Sequence, residues 1–419
     1  MRKVLLMVLL GLVLALAFSG CAQLRLPTTY KVAFLLAETP GDKGWNAAHY
    51  RGIERLKELG QVTSTSGDSF NVKLSDGRTL EVLVVEKVGY NDADIERVAR
   101  DVVGKGYQLV FGTWWNSQAA MLKLAKEKPK ILFEHCSGYP FIKSSDSPNK
   151  NFATYFIRQE QGDYVAGYVT GLLGYSNVGL VGTVSIPEPN RGINGFLLGM
   201  QRGLKETGKD PKQAKIELVW INAWLDIPKE QAAAEELLAR GLPVIRQLAD
   251  TPYSSQVSCQ AGAIAVGYGT DVSSLAPCAL VTNEWNWGEY YKLRVQQALD
   301  GKWQPGDWWG GFAEDAVVMK GWNVSAEVKA KAEKLVADIK AGYNPFCGPF
   351  QGQGQKKDGS FVEYAVPEGK CMSDMDLLSM FWLVDGVHGQ YPAEPEGGFP
   401  ALELTSPTTS APSPWLTSK

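Results

Sequence analysis

The order in which apolar runs and helical stretches alternate is the sequence feature that most constrains the fold. From residue 30 onward, short apolar runs such as residues 31–36 and 109–111 are each followed by a stretch with helical periodicity. Strands that alternate with helices predict parallel sheets with helices packed on both faces. One series of this kind is complete by about residue 150, and a second series begins there. We therefore predict an α/β protein with two similar lobes and a cleft between them.

The last quarter of the chain follows a different pattern. Residues 326–341 have the periodicity of an amphipathic helix, and residues 344–371 are predicted to form a hairpin. After residue 391 the chain becomes rich in Pro, Ser and Thr, a composition typical of segments that do not fold. We expect residues 391–419 to be disordered.

The N-terminus has the features of an export signal. Two basic residues precede an apolar run over residues 4–18 that is short for a membrane span, and small residues then lead to Cys21. Residues 18–21 resemble the bacterial lipobox, although Phe18 replaces its usual leucine. We expect a signal peptide over residues 1–20 and lipidation of the cysteine, which would tether the protein outside the cell membrane, in the periplasm or at the cell surface. A plain secreted or membrane-anchored form and a buried N-terminal helix are the alternatives.

Charge and histidine content argue against two kinds of partner. The formal net charge is −3, and no stretch of the chain concentrates Lys and Arg, so a nucleic-acid partner is not expected. The chain has three histidines and neither a CxxC nor an HExxH motif. We therefore expect no metal site and no cofactor.

The cysteines allow two disulfides in an oxidising compartment. Five cysteines remain once the N-terminal one is lipidated. Cys347 with Cys371 and Cys259 with Cys278 are plausible pairs, which would leave Cys136 free. Five buried free thiols are the alternative, and the sequence does not decide between the two.

Aromatic and acidic or amide residues recur where the predicted strands end. Ligands of open α/β sheets bind beyond the carboxyl ends of the strands. A flat heteroaromatic ligand would need two ring faces and oxygen acceptors for its N–H groups, whereas a sugar could also stack on the rings. The pattern alone therefore does not choose between a purine and a carbohydrate. The candidate ligand-binding residues are Glu38, Trp45, Asn46, Trp114, Trp224, Tyr268, Asp271 and Trp285.

Several motifs in this chain resemble the basic membrane protein family, whose members are purine- and nucleoside-binding lipoproteins of ABC importers. The similarity runs in order over roughly residues 30–390. The segments that carry it are residues 41–46, 50–53, 160–167, 186–192, 195–199, 224–226, 285–291, 348–350, 358–359 and 367–369.

The resemblance implies a type I periplasmic-binding-protein fold, with two Rossmann-like lobes whose parallel, doubly wound sheets are joined by three crossovers. The first lobe would comprise residues 30–150 and 283–315. The second lobe would comprise residues 151–282 and part of 316–390. Such lobes close around a ligand by a hinge motion, and the closed form is presented to the permease subunits of the transporter. We expect a monomer.

The resemblance also implies roles for the residues at the strand ends. Trp45 would stack on the base from the first lobe and Trp224 from the second. Asn46 would hydrogen-bond the ring, or alternatively cap a helix. Glu38 matches an acidic residue after the first strand of the family, and Trp114 lies in the third ligand loop.

Two departures from the family pattern bear on the ligand. Nucleoside-binding members carry an aspartate that grips the ribose, whereas this chain has Gly269 at that place and Asp271 two residues later. They also carry a lysine near the position where this chain has Trp285. The loss of two ribose contacts favours a free nucleobase over a nucleoside. Adenine is favoured over guanine because family members with the same Trp-Asn-Trp-Gly stretch, residues 285–288 here, resemble adenine binders.

Three other functions share parts of this pattern. An enzyme acting on nucleosides would need clustered carboxylates with a metal, or a zinc site with a nearby glutamate, and neither is apparent, so no enzymatic activity is expected. A ligand sensor of the same fold would carry the same residues. A sugar-binding protein would add several Asp, Asn and Arg side chains for the hydroxyl groups.

Overall fold

The computed structural model describes residues 28–67, 69–137 and 150–407. The predicted signal peptide and its lipidated Cys21 lie outside these residues. Within them, no helix is both long enough and apolar enough to cross a bilayer.

The first sheet has eight strands in the order β13-β7-β6-β5-β1-β4-β3-β2, and it is parallel except at β2 and β3. The central strands are mostly apolar and buried on both faces, as is typical of parallel strands covered by helices. All four residues of β5 and all six of β7 are buried. Its strands are β1 (Thr29–Leu35), β2 (Gln61–Ser66), β3 (Ser69–Lys73), β4 (Thr79–Val85), β5 (Leu109–Gly112), β6 (Leu132–Cys136), β7 (Phe152–Ile157) and β13 (Asp307–Gly310).

The second sheet has seven strands in the order β14-β12-β11-β10-β8-β9-β18, with only β14 antiparallel to its neighbour. The two sheets confirm the α/β prediction and its two-lobed arrangement. The strands are β8 (Asn177–Gly182), β9 (Lys215–Trp220), β10 (Val244–Leu248), β11 (Ile264–Gly269), β12 (Ala279–Trp285), β14 (Val317–Lys320) and β18 (Val387–His388).

Helices cover both sheets. Those of the first lobe are α1 (Trp45–Glu54), α2 (Asp92–Gly104), α3 (Gln118–Glu127) and α8 (Trp287–Leu299). Those of the second lobe are α4 (Gln159–Leu172), α5 (Pro187–Glu206), α6 (Ile227–Ala239), α7 (Tyr253–Gln260) and α9 (Ala326–Lys340). Short 3-10 turns lie at Pro40–Asp42, Arg55–Leu59, Trp115–Ser117 and Pro211–Gln213.

Glycines set the spacing between α4 and α5. A Cβ atom on Gly167 would lie 1.9 Å from the main-chain oxygen of Phe196, and one on Gly199 would lie 2.0 Å from that of Tyr164. The two helices can approach this closely only because these positions lack side chains. The family-like segments that contain these glycines therefore have a packing role.

The chain passes between the lobes three times, with boundaries that differ from those expected. The expected second lobe begins at residue 151, but β7 pairs with β6 and β13 in the first sheet, so the first passage follows Ile157. The second passage follows Trp285, the last residue of β12, and the third lies between β13 and β14. The difference arises because β7 is a short, mostly apolar strand, which fits either sheet in the absence of pairing information.

A small C-terminal module packs on the second lobe. It consists of β15 (Phe350–Gln355), β16 (Phe361–Val366), β17 (Leu383–Val384) and the short helix α10 (Asp374–Leu378). Asn194 of α5 holds the module in place: its Nδ2 donates to Trp382 O at 2.9 Å, and its Oδ1 accepts from Val384 N at 2.9 Å. The hairpin expected within residues 344–371 is formed by β15 and β16.

The segment that the sequence predicts to be disordered from residue 391 is ordered as far as residue 407. Thr405 exchanges two backbone hydrogen bonds with Cys371, at 2.8 and 2.9 Å, and Glu403 N donates to Asp376 Oδ1 at 2.6 Å. The composition of residues 391–407 predicted disorder because the segment has too few apolar residues to form a core of its own. It is ordered because it hydrogen-bonds to the C-terminal module instead. Residues 408–419 lie outside the described part of the chain.

Both plausible disulfides are present. Cys259 is bonded to Cys278 and Cys347 to Cys371, while Cys136 is a buried free thiol. The first bridge ties α7 to the approach of β12, and the second closes the base of the C-terminal hairpin.

Candidate ligand-binding cleft

A cavity of about 580 Å³, partly open to solvent, lies between the two lobes. It is bounded by residues at the carboxyl ends of parallel strands from both sheets, as expected for open α/β sheets. Seven aromatic residues make up much of its wall: Trp45, Tyr90, Trp114, Trp115, Phe156, Trp224 and Tyr268.

Trp45 is held rigidly in this wall. Its Nε1 donates to Thr113 O at 3.0 Å, and the rings of Trp285 and Trp287 pack edge-on against it at centroid distances of 4.9 and 5.7 Å. Phe156 lies nearly parallel to it, with ring centroids 6.2 Å apart and planes inclined by 23°. Because its orientation is fixed by the protein, a ligand that stacks on this ring need not pay for ordering it.

Asp42 and Asn46 form the polar base of the loop that carries Trp45. Asp42 caps α1: its Oδ1 accepts from Gly44 N and Ala47 N, both at 3.0 Å, and its Oδ2 accepts from Asn46 N and Nδ2, both at 2.8 Å. Asn46 Oδ1 accepts from Glu38 N at 3.2 Å. The N-cap residue is Gly44. The alternative role of Asn46 as the helix cap is therefore wrong, and one of its amide hydrogens is left for a ligand.

Two fully buried polar atoms in the wall of this cavity have no hydrogen-bond partner among the described residues. One is the indole N–H of Trp114, whose side chain is buried, and the other is Oδ1 of Asn116. Buried polar groups of native proteins are almost always paired. A donor and an acceptor left open in this wall are what a polar ligand would complete.

Glu188 and Asp250 give the second lobe's side of the cleft an acidic character. Glu188, in the first turn of α5, accepts a hydrogen bond from Tyr268 Oη at 3.1 Å, and burial raises the pKa of its carboxyl to about 7. Burial, together with the nearby Glu188 and Asp42 carboxylates, raises the pKa of Asp250 well above its usual value. Among the described residues that line the cavity there is neither a lysine nor an arginine. Anionic ligands are therefore disfavoured.

The lobes touch directly beside the cavity. Trp45 N of the first lobe donates to Asp250 O of the second at 3.0 Å, and Thr270 Oγ1 of the second donates to Lys43 O of the first at 2.9 Å. Gly44 permits the first contact, because a Cβ atom at that position would lie 1.5 Å from Asp250 O. The two lobes are thus in a closed arrangement.

Five of the eight residues predicted from the sequence line the cavity: Trp45, Asn46, Trp114, Trp224 and Tyr268. The other three do not. Trp285 is buried behind the wall, where it packs edge-on against Trp45 and Tyr268 and donates to Gln159 Oε1 at 3.0 Å. Asp271 is exposed and accepts from Ser273 N at 3.0 Å. Glu38 contributes its backbone N–H to Asn46 and lies outside the cavity lining.

Sequence reasoning missed Glu188, Asp250 and Phe156. The strand-end rule contained the signal for the first two, because Glu188 follows β8 and Asp250 follows β10. Neither has an aromatic residue beside it in the sequence, whereas most of the other strand-end sites do. Phe156 lies within β7 itself, where an apolar residue reads as core.

A second cavity of about 640 Å³ adjoins the first. The two share Trp115, Phe156, Glu188 and Trp224, so they are neighbouring compartments of one cleft. The second compartment extends to Asp307, at the end of the first sheet.

Comparisons with known proteins agree with this geometry. The family model described as "Bmp: ABC transporter substrate-binding protein PnrA-like" matches residues 29–342. A purine-binding protein of Brucella abortus is 32% identical over 367 residues, covering 86% of this chain and 94% of that protein. A putative ABC transporter glucose-binding protein of Haloferax volcanii is 28% identical over 318 residues, covering 74% of this chain and 73% of that one.

Solved structures show the same fold at low sequence identity. A solute-binding protein of an ABC transporter system from Aeropyrum pernix superposes with a TM-score of 0.60 at 16% identity, covering 76% of this chain and 94% of that chain. A second one, from Conexibacter woesei, gives 0.57 at 20% identity, covering 75% and 97%. These similarities confirm the predicted type I periplasmic-binding-protein architecture.

Proposed function

Since this chain belongs to the Bmp family of PnrA-like ABC transporter substrate-binding proteins, we propose that its cleft captures a purine for an importer. A free nucleobase, adenine in particular, is the favoured ligand. The observation that carries the proposal is a cavity with a largely aromatic wall. This wall also contains one unpaired hydrogen-bond donor and one unpaired acceptor.

The chemistry of the wall suits a flat heteroaromatic ring. Trp45 and Phe156 from the first lobe and Trp224 from the second offer faces for stacking. The open indole N–H of Trp114 can donate to a ring nitrogen, and Oδ1 of Asn116 can accept from an N–H group. Base–aromatic stacking contributes about 1–3 kcal/mol per base.

The preference for a base over a nucleoside is supported by Gly269 and Trp285. A Cβ atom on Gly269 would lie 2.4 Å from the Trp285 ring, and the residue has a φ of +75°. A ribose-gripping aspartate would therefore be both strained and sterically blocked at this position. Asp271, two residues later, is exposed and outside the cavity lining.

A nucleoside is the second candidate, and one observation favours it. The adjoining compartment reaches Asp307 and shares lining residues with the first, so the sugar of a nucleoside whose base lies in the first compartment would extend towards it. Thr154 and Ser137 also line it and could hydrogen-bond sugar hydroxyls.

Calorimetric titration of the refolded mature protein tests the proposal. Residues 22–419, produced without Cys21 and stripped of ligand by unfolding, would be titrated with adenine, guanine, adenosine, inosine, ribose and glucose. Tight binding of a base with weaker binding of its nucleoside is the expected result. Tighter nucleoside binding would select the second candidate, and binding of glucose alone would remove the purine claim.

We further propose that the protein is lipid-anchored at Cys21 and acts as a monomer without catalytic activity. Substrate-binding proteins of this family work outside the cytoplasm, which fits an exported, tethered chain. Incorporation of labelled fatty acid into the wild type and its loss in Cys21→Ser would support the anchor. A sensor role would be indicated if deletion of the gene left purine uptake unchanged.

A further inference from the structure

Asp250 occupies a distinctive place in the cleft. It follows β10 and lines the cavity, and its main-chain oxygen accepts the hydrogen bond from Trp45 N that joins the lobes. Its carboxyl group has no hydrogen bond to any described residue, whereas those of Asp42 and Glu188 are engaged by protein donors. A ligand in the closed cleft is therefore the available partner for this carboxyl group.

The groups that face Asp250 are acids and phenols. Glu188 comes from α5, Asp42 from the turn before α1, and Glu230 from α6. The negative charge of Asp250 also contributes to the raised pKa values of Tyr90 and Tyr268. No lysine or arginine is among the described residues that line the first compartment, and Arg191, which lines the adjoining one, is paired with Glu160. An ionised Asp250 would therefore have no counter-charge of its own in the first compartment.

We propose that Asp250 is the specificity-determining residue of the cleft, and that as a neutral carboxylic acid it pairs with the adjacent amine and ring nitrogen of an adenine-type base. This inference rests on the proposed purine-binding function. The carbonyl oxygen accepts from the exocyclic amine, and the O–H donates to the neighbouring ring nitrogen. The combined burial and acidic surroundings, which raise the pKa of Asp250, support the neutral form.

The protonation state decides which base edge fits. A neutral carboxylic acid presents one donor and one acceptor side by side, which matches the amine and ring nitrogen of adenine. An ionised carboxylate presents acceptors only, which matches the ring N–H and amine of guanine. The choice between the two purines thus depends on one proton.

Two substitutions separate this role from a structural one. Asp250→Asn keeps a donor and an acceptor without a titratable group, so adenine should bind within a few-fold of the wild type at pH 6. Asp250→Ala removes both and should weaken adenine binding by at least about tenfold. Asp271→Asn, an exposed carboxylate after the neighbouring strand β11, is the matched control and should change nothing.

The pH dependence of binding is the decisive measurement. Above the pKa of Asp250 in the ligand-free protein, binding of adenine requires this carboxyl group to take up one proton. Over that pH range, calorimetry on the wild type should show adenine affinity falling by up to about tenfold per pH unit. Guanine affinity should not fall over that range, and Asp250→Asn should abolish the dependence for adenine. Thermal melting of each variant without ligand checks that it is folded.

Three outcomes would overturn the inference. The first is an adenine affinity of the wild type that is independent of pH or rises with pH. The second is an Asp250→Asn variant that is folded but loses adenine as completely as Asp250→Ala does. Either result with adenine bound to the wild type removes only this role of Asp250. Failure of every purine to bind the wild type removes the proposed function as well.

Discussion

At the scale of single residues, Trp224 offers the cleaner test of stacking, because it is only partly buried and its ring lines the cavity. Trp224→Ala should weaken purine binding by roughly 10- to 100-fold, the equivalent of about 1–3 kcal/mol. Trp322→Ala, on the second lobe and outside the cavity lining, is the control and should bind normally. An unchanged affinity in Trp224→Ala, measured by calorimetry, would contradict stacking from the second lobe.

A second prediction concerns Glu230 and the pH dependence of the protein's stability. Glu230 is buried in α6, accepts from Ser254 N at 2.7 Å and from Thr251 Oγ1, and has its pKa raised by burial to about 7. The folded state therefore holds this proton more tightly than the unfolded chain does. Its contribution to stability is full below the unfolded pKa near 4.5 and is lost as pH rises towards 7.

Ionisation of Glu230 should lower the free energy of unfolding of the wild type by on the order of 1–3 kcal/mol between pH 5 and 8, and Glu230→Gln should remove this decrease. Urea unfolding of the ligand-free protein at the two pH values measures it. Glu235→Gln, an exposed position on the same helix, should leave the pH dependence of the wild type intact. An equal fall in stability for Glu230→Gln and the wild type would show that this carboxyl does not titrate as described.

The residue scale also shows what sequence could reveal about the site. The sequence identified three lining tryptophans, because a large aromatic side chain in a loop after a parallel strand often lines the cleft. They are Trp45, Trp114 and Trp224. Asp271 was misplaced because Gly269, with its positive φ, turns the chain and leaves the aspartate exposed. Which way a loop residue points depends on such turns, and a strand-end pattern does not contain them.

At the scale of elements, the loop between β1 and α1 joins two tasks. It carries Trp45 into the cavity, and it meets the β10–α7 loop of the other lobe through Asp250 O. Gly44→Ala would place a methyl group on that oxygen and hold the lobes apart. Because only the closed arrangement completes the site, we expect ligand affinity to fall by at least about tenfold.

Small-angle scattering with saturating purine would report the same defect as a failure to become more compact. Gly41→Ala lies in the same loop, and its added Cβ would approach only Thr39 Oγ1, at 3.1 Å. It should bind and close like the wild type. Normal closure of Gly44→Ala would mean that the loops can separate without loss of the site.

The elements themselves were largely predictable. Alternation of apolar runs and helices gave the parallel sheets, because covered strands must be apolar on both faces. The assignment of β7 to a lobe was not predictable, since strand pairing between distant segments is decided by long-range packing. The order of residues 391–407 was missed for the same reason: their partners lie on the C-terminal module.

At the scale of the whole molecule, Arg158 connects the C-terminal module to the passages between the lobes. Its guanidinium donates to Asp374 Oδ1 at 2.9 Å and Oδ2 at 2.5 Å, and it lies 4.0 Å from the centre of the Trp309 ring. Its main-chain N–H donates to Gly310 O at 2.7 Å. The module, which lies beyond the residues matched by the family model, thus braces the hinge.

Asp374→Asn breaks this charge-assisted pair and should lower stability by about 1–2 kcal/mol. It should also speed proteolytic cleavage within residues 344–407, which limited digestion followed by mass spectrometry can locate. Glu333→Gln removes an exposed partner of Lys329 instead and should have no measurable effect. Equal cleavage of Asp374→Asn and the wild type would show that the pair does not hold the module.

The tryptophan-rich wall of the cleft has an optical consequence. Four of the protein's thirteen tryptophans line the cavity, and two more pack on Trp45 from behind. Indole emission responds to polarity and is quenched by stacked bases, so arrival of a ligand should change the intrinsic fluorescence of the unlabelled protein. Capture and release could then be followed in real time, with the protein acting as its own reporter.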